Sequence, residues 1–208
     1  MTVALQHTVP VSAARIVGPG EDVLARWRAR FQRLHLDLGC GDARFALQAA
    51  RGTPDLGVVG IDTCLDNVRV PRRYVPANLR LIQADGRDIA GLPGLQGADR
   101  ITINFPYGSL LRWIVDGGTG FIDRLATVAA SGAMLEIRIN ASALREIGSA
   151  PAEFEPGLVD AFARRREWKT AFQTMGQSDL RRFPSTWARR IGYGRETTAL
   201  LVVARRVG

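Results

Sequence analysis

The sequence predicts an α/β protein whose open, mostly parallel β-sheet carries helices on both faces. Short apolar runs alternate with longer segments of helical character, which is typical of parallel sheets built from βαβ units. The first apolar run, residues 34–38, stops at a glycine turn from which a helix begins. With 208 residues, the chain is long enough for one domain with a full hydrophobic core.

Residues 1–33 are predicted to be an N-terminal extension, and residues 34–208 a single domain. Within the extension, Glu21 and Asp22 precede apolar residues at helical spacing. We expect a short amphipathic helix there, because carboxylates in the first turn stabilise a helix through its dipole.

The domain is predicted to contain seven strands. Apolar runs bounded by glycine, proline and polar residues indicate where each strand lies. The strands are expected at residues 34–38, 58–61, 79–82, 101–104, 133–140, 178–182 and 199–204.

Helices are predicted between most of these strands. Pro71 and Pro76 interrupt one of them, because proline cannot donate the amide hydrogen bond of a helix. Gly176 is the expected C-cap of the longest helix. The helices are expected at residues 43–50, 64–74, 121–130 and 158–175, with a loop-rich insertion at about 141–160 and a further insertion, which joins the last two strands, at about 183–198.

The basic excess of the chain is confined to its last quarter. The net charge is +8, yet residues 1–160 hold 17 basic and 17 acidic side chains. Residues 161–208 hold 11 basic side chains against three acidic ones, and 27 of all 28 basic residues are arginine. This asymmetry suggests a docking surface for a polyanion, since the guanidinium fork suits phosphate. A basic surface that serves solubility alone is the alternative.

Several protein classes are disfavoured by the sequence. It contains no run of about 18 apolar residues, so no membrane span is predicted. The N-terminus lacks the basic and apolar regions of a secretion signal. Cys40 and Cys64 are too few and too far apart for a disulfide framework or a metal site, and they fit a reducing compartment. We therefore expect a cytoplasmic protein with no metal and no membrane partner.

The glycine turn after the first strand differs from a dinucleotide-binding loop. Gly39 and Gly41 permit a tight turn and the close approach of a ligand. The third glycine of the dinucleotide fingerprint is missing, because position 44 is arginine. Asp37 and Asp42 flank the turn, where carboxylates repel a pyrophosphate but suit the cationic end of a methionine-derived ligand. An ordinary βαβ turn with a helix-capping Asp42 is the alternative.

Polar residues follow the next strands as well. Asp62 ends the second strand, at about the position of a ribose-binding acid in Rossmann-type folds. Asp85 follows the third strand and Asn104 ends the fourth. Ligands of open parallel sheets bind beyond the carboxyl ends of the strands, so we expect these residues to share one site.

This order of strand, glycine turn, helix, strand and acid resembles motif I and the strand-2 acid of class I S-adenosylmethionine-dependent methyltransferases. The resemblance implies a Rossmann-like, seven-stranded, mostly parallel sheet with an antiparallel last strand. It implies S-adenosyl-L-methionine as cofactor and S-adenosyl-L-homocysteine as product, with Asp62 at the ribose hydroxyls and Asp85 at the adenine edge. The cofactor-binding residues implied are Asp37, Gly39, Cys40, Gly41, Asp62, Thr63, Ala84, Asp85, Gly86 and Asn104.

Two further strings are similar to the signature segments of the 16S ribosomal RNA (adenine(1408)-N(1))-methyltransferases, which are aminoglycoside-resistance enzymes. They are FPYGSLLR at residues 105–112 and STWARRIGYGR at residues 185–195. The similarity runs from about Arg15 to the C-terminus, with the elements in the same order. The second string is the more specific, because methyltransferases in general do not share it.

This resemblance implies roles for particular residues. Tyr107 and Trp187 would hold a flipped adenine between their rings, with Phe105 and Ser185 beside it. Tyr107 stands where the family usually has tryptophan, and the linker between strands 2 and 3 is shorter than usual. For Trp187, a buried core position is the alternative. The implied partner is 16S ribosomal RNA within the 30S subunit, bound by Arg69, Arg72, Arg73, Arg189, Arg190 and Arg195.

The implied chemistry depends on positioning more than on acid–base groups. Adenine N1 carries a free lone pair at neutral pH, so it attacks a sulfonium methyl without a general base. Holding the two reactants in line lowers the activation free energy by about 7–11 kcal/mol at best. Two other interpretations remain open. One is a tRNA guanine-N7 methyltransferase, whose motif also begins Asn-Phe-Pro but continues Asp-Pro-Trp. The other is a weakly active or non-catalytic homologue that binds the cofactor and ribosomal RNA.

Overall fold

The computed structural model describes residues 21–207, although the side chains of residues 21, 22 and 72 lie outside that description. Seven strands form one sheet. Their bounds are β1 (Arg33–Leu38), β2 (Leu56–Asp62), β3 (Leu79–Gln83), β4 (Ala98–Asn104), β5 (Ala129–Asn140), β6 (Trp168–Met175) and β7 (Ala199–Arg206).

Helices connect these strands. They are α1 (Glu21–Arg28), α2 (Arg44–Gly52), α3 (Gly108–Asp116), α4 (Gly118–Ala126), α5 (Ala141–Glu146), α6 (Pro151–Ala163), α7 (Gln177–Arg182) and α8 (Thr186–Gly192). Two 3₁₀ segments, Arg72–Tyr74 and Gly86–Gly91, precede β3 and β4. Within the described residues, no helix is both long and apolar enough to span a membrane.

The sheet has the strand order β3-β2-β1-β4-β5-β7-β6. The pairs from β3 through β5 are parallel, whereas β7 is antiparallel to both of its neighbours. The predicted fold class is therefore confirmed. The strand order reverses between β1 and β4, and a ligand crevice is expected at the carboxyl ends of these two strands.

One face of the sheet is apolar throughout. In β1, the alternating residues Leu34, Leu36 and Leu38 point to this face and are fully buried. Helices α1 and α3 to α6 cover it, with residues such as Phe121 and Phe162 completing the largest cluster of buried side chains. In α1, Leu24 and Trp27 join this cluster, which confirms the predicted amphipathic helix. Residues 1–20 of the predicted extension lie outside the described part of the chain.

The opposite face has two apolar clusters with a polar strip between them. One cluster lies under α2 and the other under α7 and α8. Phe45 of α2 and Phe183, between α7 and α8, stack at 5.1 Å between ring centroids, and both rings contact residues of the strip. The strip comprises side chains of β1, β4 and β5, namely His35, Asp37, Arg100, Thr102, Asn104, Glu136 and Arg138.

The predicted helix at residues 64–74 was wrong. Only Arg72–Tyr74 is helical, and it forms a 3₁₀ turn. The carboxylate of Asp62 accepts a hydrogen bond from the backbone N–H of Cys64, a local turn that competes with helix formation. Pro71 also interrupts a helix, because its nitrogen has no hydrogen to donate, and only one short turn follows it.

The predicted loop at residues 141–160 was also wrong, because α5 and most of α6 lie there. Pro151 occupies the first turn of α6, where the missing N–H costs nothing. Pro156 lies inside α6, where it removes a hydrogen bond. Burial of Phe154, Leu158 and Phe162 against the core offsets that cost.

Near the end of the chain, one segment predicted to be helical is a strand, and one predicted to be a strand is a helix. The predicted helix at residues 158–175 ends at Ala163, and its second half is strand β6. Aromatic and β-branched residues such as Trp168, Thr170 and Phe172 favour a strand there. The predicted strand at residues 178–182 is helix α7, which begins where Asp179 accepts a hydrogen bond from the N–H of Gly176 at 2.9 Å.

Candidate active site

A cavity of about 1070 Å³ opens at the carboxyl ends of β1, β2 and β4, where the strand order reverses. The structure brings most of the predicted site residues together in its wall. These residues are Asp37, Gly39, Cys40, Gly41, Asp62, Thr63, Arg69, Asp85, Gly86, Asn104, Phe105, Tyr107, Ser185, Trp187 and Arg190.

The glycine turn forms the floor of the cavity. Gly39 and Gly41 have φ values of 71° and 54°, which lie in the left-handed region that favours glycine. A Cβ atom at Gly39 would lie 2.7 Å from Cδ2 of Leu110, so the turn and α3 can approach only because this residue has no side chain. At Gly41 a Cβ would meet no atom within 4 Å.

Asp62 both fixes this turn and faces the cavity. One carboxylate oxygen accepts the N–H of Gly41 at 2.8 Å, and the other accepts the N–H of Cys64 at 3.0 Å. A carboxylate has about four lone-pair sites, so acceptors remain for two ligand hydroxyls. Binding of a ribose by this carboxylate stays a prediction from the sequence.

Asp85 begins the 3₁₀ helix that follows β3. Its carboxylate accepts the backbone N–H of Arg87 at 2.9 Å and three guanidinium hydrogen bonds, the shortest at 2.6 Å. These bonds to Arg87 hold the pKa of Asp85 below its usual range, so the side chain stays ionised. Ala84, by contrast, does not line the cavity: it packs against the core, and its N–H donates to the carbonyl of Asp62 at 3.0 Å.

Below the cavity, Asp37 lies in a buried hydrogen-bond network. Its Oδ1 accepts the hydroxyl of Thr102 at 2.8 Å and the amide Nδ2 of Asn104 at 2.9 Å. The Oδ1 of Asn104 accepts from Arg138 at 2.9 Å, and Arg138 also pairs with Glu136. Burial raises the pKa of Asp37 to about 7, against the effect of these hydrogen bonds.

His35 extends this network into the sheet. Its Nε2 lies 2.9 Å from the Thr102 hydroxyl. Because the one hydroxyl hydrogen of Thr102 goes to Asp37, the imidazole Nε2–H is the donor in this pair. Burial, and then the charges of Arg100 and Arg138, lower the pKa of His35 to about 3. His35 is therefore neutral at physiological pH and structural.

The turn after β4 is held in a strained conformation. Phe105 has φ of 53°, which is unfavourable for a residue with a side chain. The carbonyl of Arg138 accepts its N–H at 2.8 Å, and its ring packs edge-on against Phe183 at 5.4 Å. These contacts on β5 and Phe183 fix the direction in which the chain leaves β4 toward Tyr107.

Two exposed aromatic rings stand at the mouth of the cavity. Tyr107 is 60% exposed and Trp187 is 42% exposed, and their ring centroids lie 6.4 Å apart at an angle of 63°. The exposure of Trp187 excludes the alternative that it is a core residue. Ser185 begins α8, where its hydroxyl accepts the N–H of Ala188 at 3.4 Å.

Sequence reasoning missed Glu146, and it missed a second role of Asp42; both carboxylates support this mouth. Glu146, at the end of α5, lies by Tyr107, and hydrogen bonding between them raises the pKa of the phenol. Asp42 accepts the N–H of Thr186 at 3.3 Å and so connects the glycine turn to α8. Glu146 fell in the segment predicted to be a loop, and no pattern in the sequence connects positions 42 and 186.

The predicted RNA-binding arginines are spread more widely. Arg69 and Arg190 line the cavity, whereas Arg189 lines a neighbouring groove. Arg73 stacks over Tyr74 at 4.8 Å, and Arg195 is exposed beyond α8. The side chain of Arg72 lies outside the description.

The donor set of the cavity suits S-adenosylmethionine better than a metal. Among residues 21–207, no three His, Cys, Asp or Glu side chains are grouped as a metal site requires. The open space above Gly41 and the free acceptors of Asp62 fit a nucleoside, and Asp42 fits its cationic tail, whereas Asp37 lies deeper and is hydrogen-bonded to Thr102 and Asn104. Burial, followed by the charge of Asp37, raises the pKa of the Cys40 thiol, so this residue is a neutral part of the wall.

The model of the NpmA family, the 16S rRNA (adenine(1408)-N(1))-methyltransferases, matches residues 11–206. The chain belongs to this family. It is therefore an S-adenosylmethionine-dependent methyltransferase, as the two signature strings predicted.

Two relatives of this methyltransferase match it over nearly its whole length, and a third matches only part of it. The 16S rRNA (adenine(1408)-N(1))-methyltransferase of Streptoalloteichus hindustanus is 24% identical over 95% of this chain and 98% of its own. A point mutant of the enzyme of that name from Catenulisporales acidiphilia, solved with S-adenosylmethionine, is 30% identical, with a TM-score of 0.73 over 92% of this chain and 93% of its own. A tRNA (guanine-N(7)-)-methyltransferase of Anaeromyxobacter dehalogenans is 36% identical, but over only 33% of this chain and 38% of its own.

Proposed function

We propose that this enzyme methylates N1 of adenine 1408 in 16S ribosomal RNA of the 30S subunit, as enzymes of the aminoglycoside-resistance type do. The observation that carries this proposal is the exposed pair Tyr107 and Trp187 at the mouth of the cavity. Exposed aromatic rings are costly on a free surface unless they serve a partner, and two rings at one cavity mouth suit the faces of a flipped base.

The bound cofactor supplies an electrophilic methyl group, and transfer forms the N1–CH₃ bond, breaks the S–CH₃ bond and leaves S-adenosylhomocysteine. The residues of the chain orient both partners for this displacement. Asp62 binds the ribose hydroxyls. Gly39 and Gly41 have no side chains, so the ligand can lie close to the backbone of the turn. Tyr107 and Trp187 hold the base over the methyl group.

The state of Asn104 favours a ring nitrogen as the nucleophile. Its Nδ2 is bonded to Asp37 and its Oδ1 is directed at Arg138. An exocyclic amine needs an acceptor for its proton, and the Asn104 oxygen already accepts a hydrogen bond from the cationic Arg138, which makes it a weaker acceptor for that proton. Adenine N1 needs no such acceptor because it already has a lone pair.

Stacking on the two rings offsets the cost of extracting the base. Flipping a nucleotide out of a helix costs a few kcal/mol, and aromatic stacking returns about 1–3 kcal/mol per base. Glu146 contributes by holding the Tyr107 hydroxyl, so that less rotamer freedom is lost when the base binds.

Methyl transfer to purified 30S subunits, with the modified nucleotide mapped, tests the proposal directly. We expect labelled methyl at N1 of adenine 1408 and none in tRNA. Methylation of guanine N7 in tRNA would instead support the activity named for the partial relatives. Cofactor binding with no transfer to either RNA would indicate a non-catalytic homologue.

Trp187→Ala provides the matched variant. Because Trp187 is 42% exposed, the variant should melt within a few degrees of the wild type. It should lose most single-turnover methylation, about 1–3 kcal/mol of base stacking, with cofactor affinity little changed. Tyr107→Phe should retain far more activity than Tyr107→Ala, since stacking needs the ring. A folded Trp187→Ala enzyme with full activity would contradict the clamp.

A further inference from the structure

A second groove, of about 480 Å³, lies between α2 and the α7–α8 segment. It is adjacent to the active-site cavity, because Arg44 and Val70 line both. Residues Arg44, Leu47, Gln48 and Arg51 of α2 form one of its walls. They follow the spacing that places side chains on one face of a helix.

The groove is surrounded by basic side chains. Arg44 and Arg51 come from α2, and Arg181, Arg182 and Arg189 from the opposite side, with no acidic residue in the lining. Gathering like charges around one concave surface destabilises the free protein, and a bound polyanion relieves that repulsion.

Some of these guanidinium groups are fixed and others are free to bind. Arg51 donates to the carbonyl of Tyr74 at 3.1 Å, and Arg181 donates to the carbonyl of Gly192 at 3.1 Å. Among the described residues, Arg182 and Arg189 have no hydrogen-bond or ion-pair partner for their side chains, and both are exposed. The groove therefore offers two unpaired cations on a framework that is already in position.

The floor of the groove is apolar. It consists of Leu47, Val70, Phe183 and Pro184. Phosphate oxygens suit the arginine rim, and the sugar carbons of a nucleotide suit the floor. A nucleic-acid strand presents both along its length.

The charge of the cavity mouth also favours this side. Glu146 and Asp85 line the cavity but not the groove, whereas Arg44 lines both. The Nε of Arg44 lies 3.5 Å from Oδ2 of Asp42, so this pair neutralises the carboxylate on the shared side. A strand whose base enters the cavity must leave the mouth on some side, and phosphates avoid carboxylates.

We propose that this groove binds the phosphates of the RNA strand next to the flipped nucleotide, through Arg51 and Arg182 in addition to Arg189. This inference rests on the proposed function only in taking ribosomal RNA as the strand. It adds α2 to the docking surface and names Arg182 of α7, whereas the sequence predicted a basic surface within residues 161–208 and named RNA-binding arginines only in the linker before β3 and at positions 189, 190 and 195.

The test compares two double charge reversals in the full-length enzyme. Arg51→Glu/Arg182→Glu alters the groove. Arg124→Glu/Arg166→Glu is the matched control, because both residues are exposed, have no ion-pair partner among the described residues and lie by the Arg165–Asp123 pair, remote from the cavity. The readouts are binding to purified 30S subunits across a salt series, methylation kinetics, cofactor binding and thermal melting.

We expect the groove variant to bind 30S subunits at least about tenfold more weakly. The slope of the logarithm of its binding constant against the logarithm of the salt concentration should become shallower by roughly two, because each of the two arginines neutralises about one phosphate. Its KM should rise by a similar factor, with kcat and cofactor affinity within about twofold. The control should bind within about threefold of the wild type, as expected for distant charges screened by salt. Should the groove variant fold poorly, Arg182→Ala, which removes an unpartnered side chain, should still weaken binding and lower the slope by about one.

Each contrary result has a definite meaning. Unchanged binding by the groove variant, or equal weakening by the control, overturns the groove as an RNA site. Salt-dependent 30S binding that requires the groove, without methylation of adenine 1408, overturns the proposed function and supports the groove. Absence of 30S binding by the wild type overturns both.

Discussion

Asp62 fixes the glycine turn and, in our proposal, also binds the cofactor. Its two oxygens hold the N–H groups of Gly41 and Cys64 while the same carboxylate faces the cavity. This dual use is a consequence of its place at the end of β2, beside the glycine turn that follows β1.

We predict that Asp62→Ala weakens cofactor binding. Loss of hydrogen bonds to a charged acceptor costs about 1.5–3 kcal/mol, or roughly ten- to a hundredfold in affinity. Titration calorimetry with S-adenosylmethionine measures the change. Asp55→Ala is the control, because Asp55 is exposed and its one ion pair among the described residues is with Arg33 on the surface. Unchanged affinity in a folded Asp62→Ala protein would argue against the ribose assignment.

The buried side chains of Asp37 and His35 predict how the free energy of unfolding depends on pH. The pKa of Asp37 is raised to about 7 in the folded protein, so between about pH 4 and 7 the folded state holds a proton that the unfolded state has lost. The stability that the folded state gains from holding this proton on Asp37 is fully present below pH 4 and is lost as the pH rises through 7. His35, with a pKa lowered to about 3, acts in the opposite sense: its contribution is lost as the pH falls below about 6.5.

Asp37→Asn should isolate the first of these effects. The difference in unfolding free energy between wild type and variant should change by up to about 1.4 kcal/mol per pH unit between pH 4 and 7, in favour of the variant as the pH rises. Urea denaturation at several pH values measures it, and comparing the two proteins cancels the contribution of His35. A constant difference over that range would mean that Asp37 titrates normally.

At the scale of elements, Phe183 holds the α7–α8 segment on the sheet. Its ring stacks on Phe45 at 5.1 Å, meets Phe105 edge-on and lies 5.0 Å from the guanidinium carbon of Arg138. The ring therefore joins α2, the strained turn after β4 and the polar strip. Trp187 and Ser185 follow it directly in the chain, so their positions depend on this contact.

Phe183→Ala should lower the unfolding free energy by about 3–5 kcal/mol, the usual cost of removing a buried phenylalanine ring. Phe183→Leu, which keeps most of the apolar volume, should cost clearly less. Equilibrium urea unfolding provides both values. A loss within about 0.5 kcal/mol, as for surface substitutions, would show that the segment is held by other contacts.

The elements also show how far the sequence could be interpreted. β1 to β5 and β7 were predicted because their apolar runs are largely buried, and the glycine turn and Asp62 followed from their spacing. β6 and α7 were exchanged because β6 is only partly buried, so Lys169 and Gln173 break the apolar pattern, and α7 has Leu180 as its one buried residue. Helix α3 was missed, because Gly108 and Ser109 at its start suggest a turn.

At the site, residues on the strand ends could be predicted and residues reached by tertiary packing could not. Asp37, Asp62 and Asn104 follow from parallel-sheet topology. The engagement of Asn104 by Arg138 depends on the register of β4 against β5, which pairs these two residues. Glu146 reaches Tyr107 only because α5 returns over the cavity.

At the scale of the whole molecule, the sheet separates two environments. Its apolar face is covered by α1 and α3 to α6, and its other face keeps a charged strip between two small clusters. The groove lies between α2 and the α7–α8 segment of the second face, whereas the cavity and the aromatic pair combine α2 and α8 with the start of α3 and the end of α5. Most of the apolar burial therefore lies on one face, while the proposed RNA groove lies on the other.

The sheet ends at β6, which within the described residues has β7 as its one strand neighbour. An open edge carries unpaired backbone groups, onto which a strand of another molecule can add and start aggregation. Lys169, the single lysine of the sequence, is exposed on this strand. A lysine there opposes such pairing, because its ammonium group would have to be desolvated between two strands. Lys169→Val should therefore bind cofactor normally yet scatter more light as it is concentrated, whereas Lys169→Arg should stay monodisperse; equal scattering by the two variants would show that the edge is protected in another way.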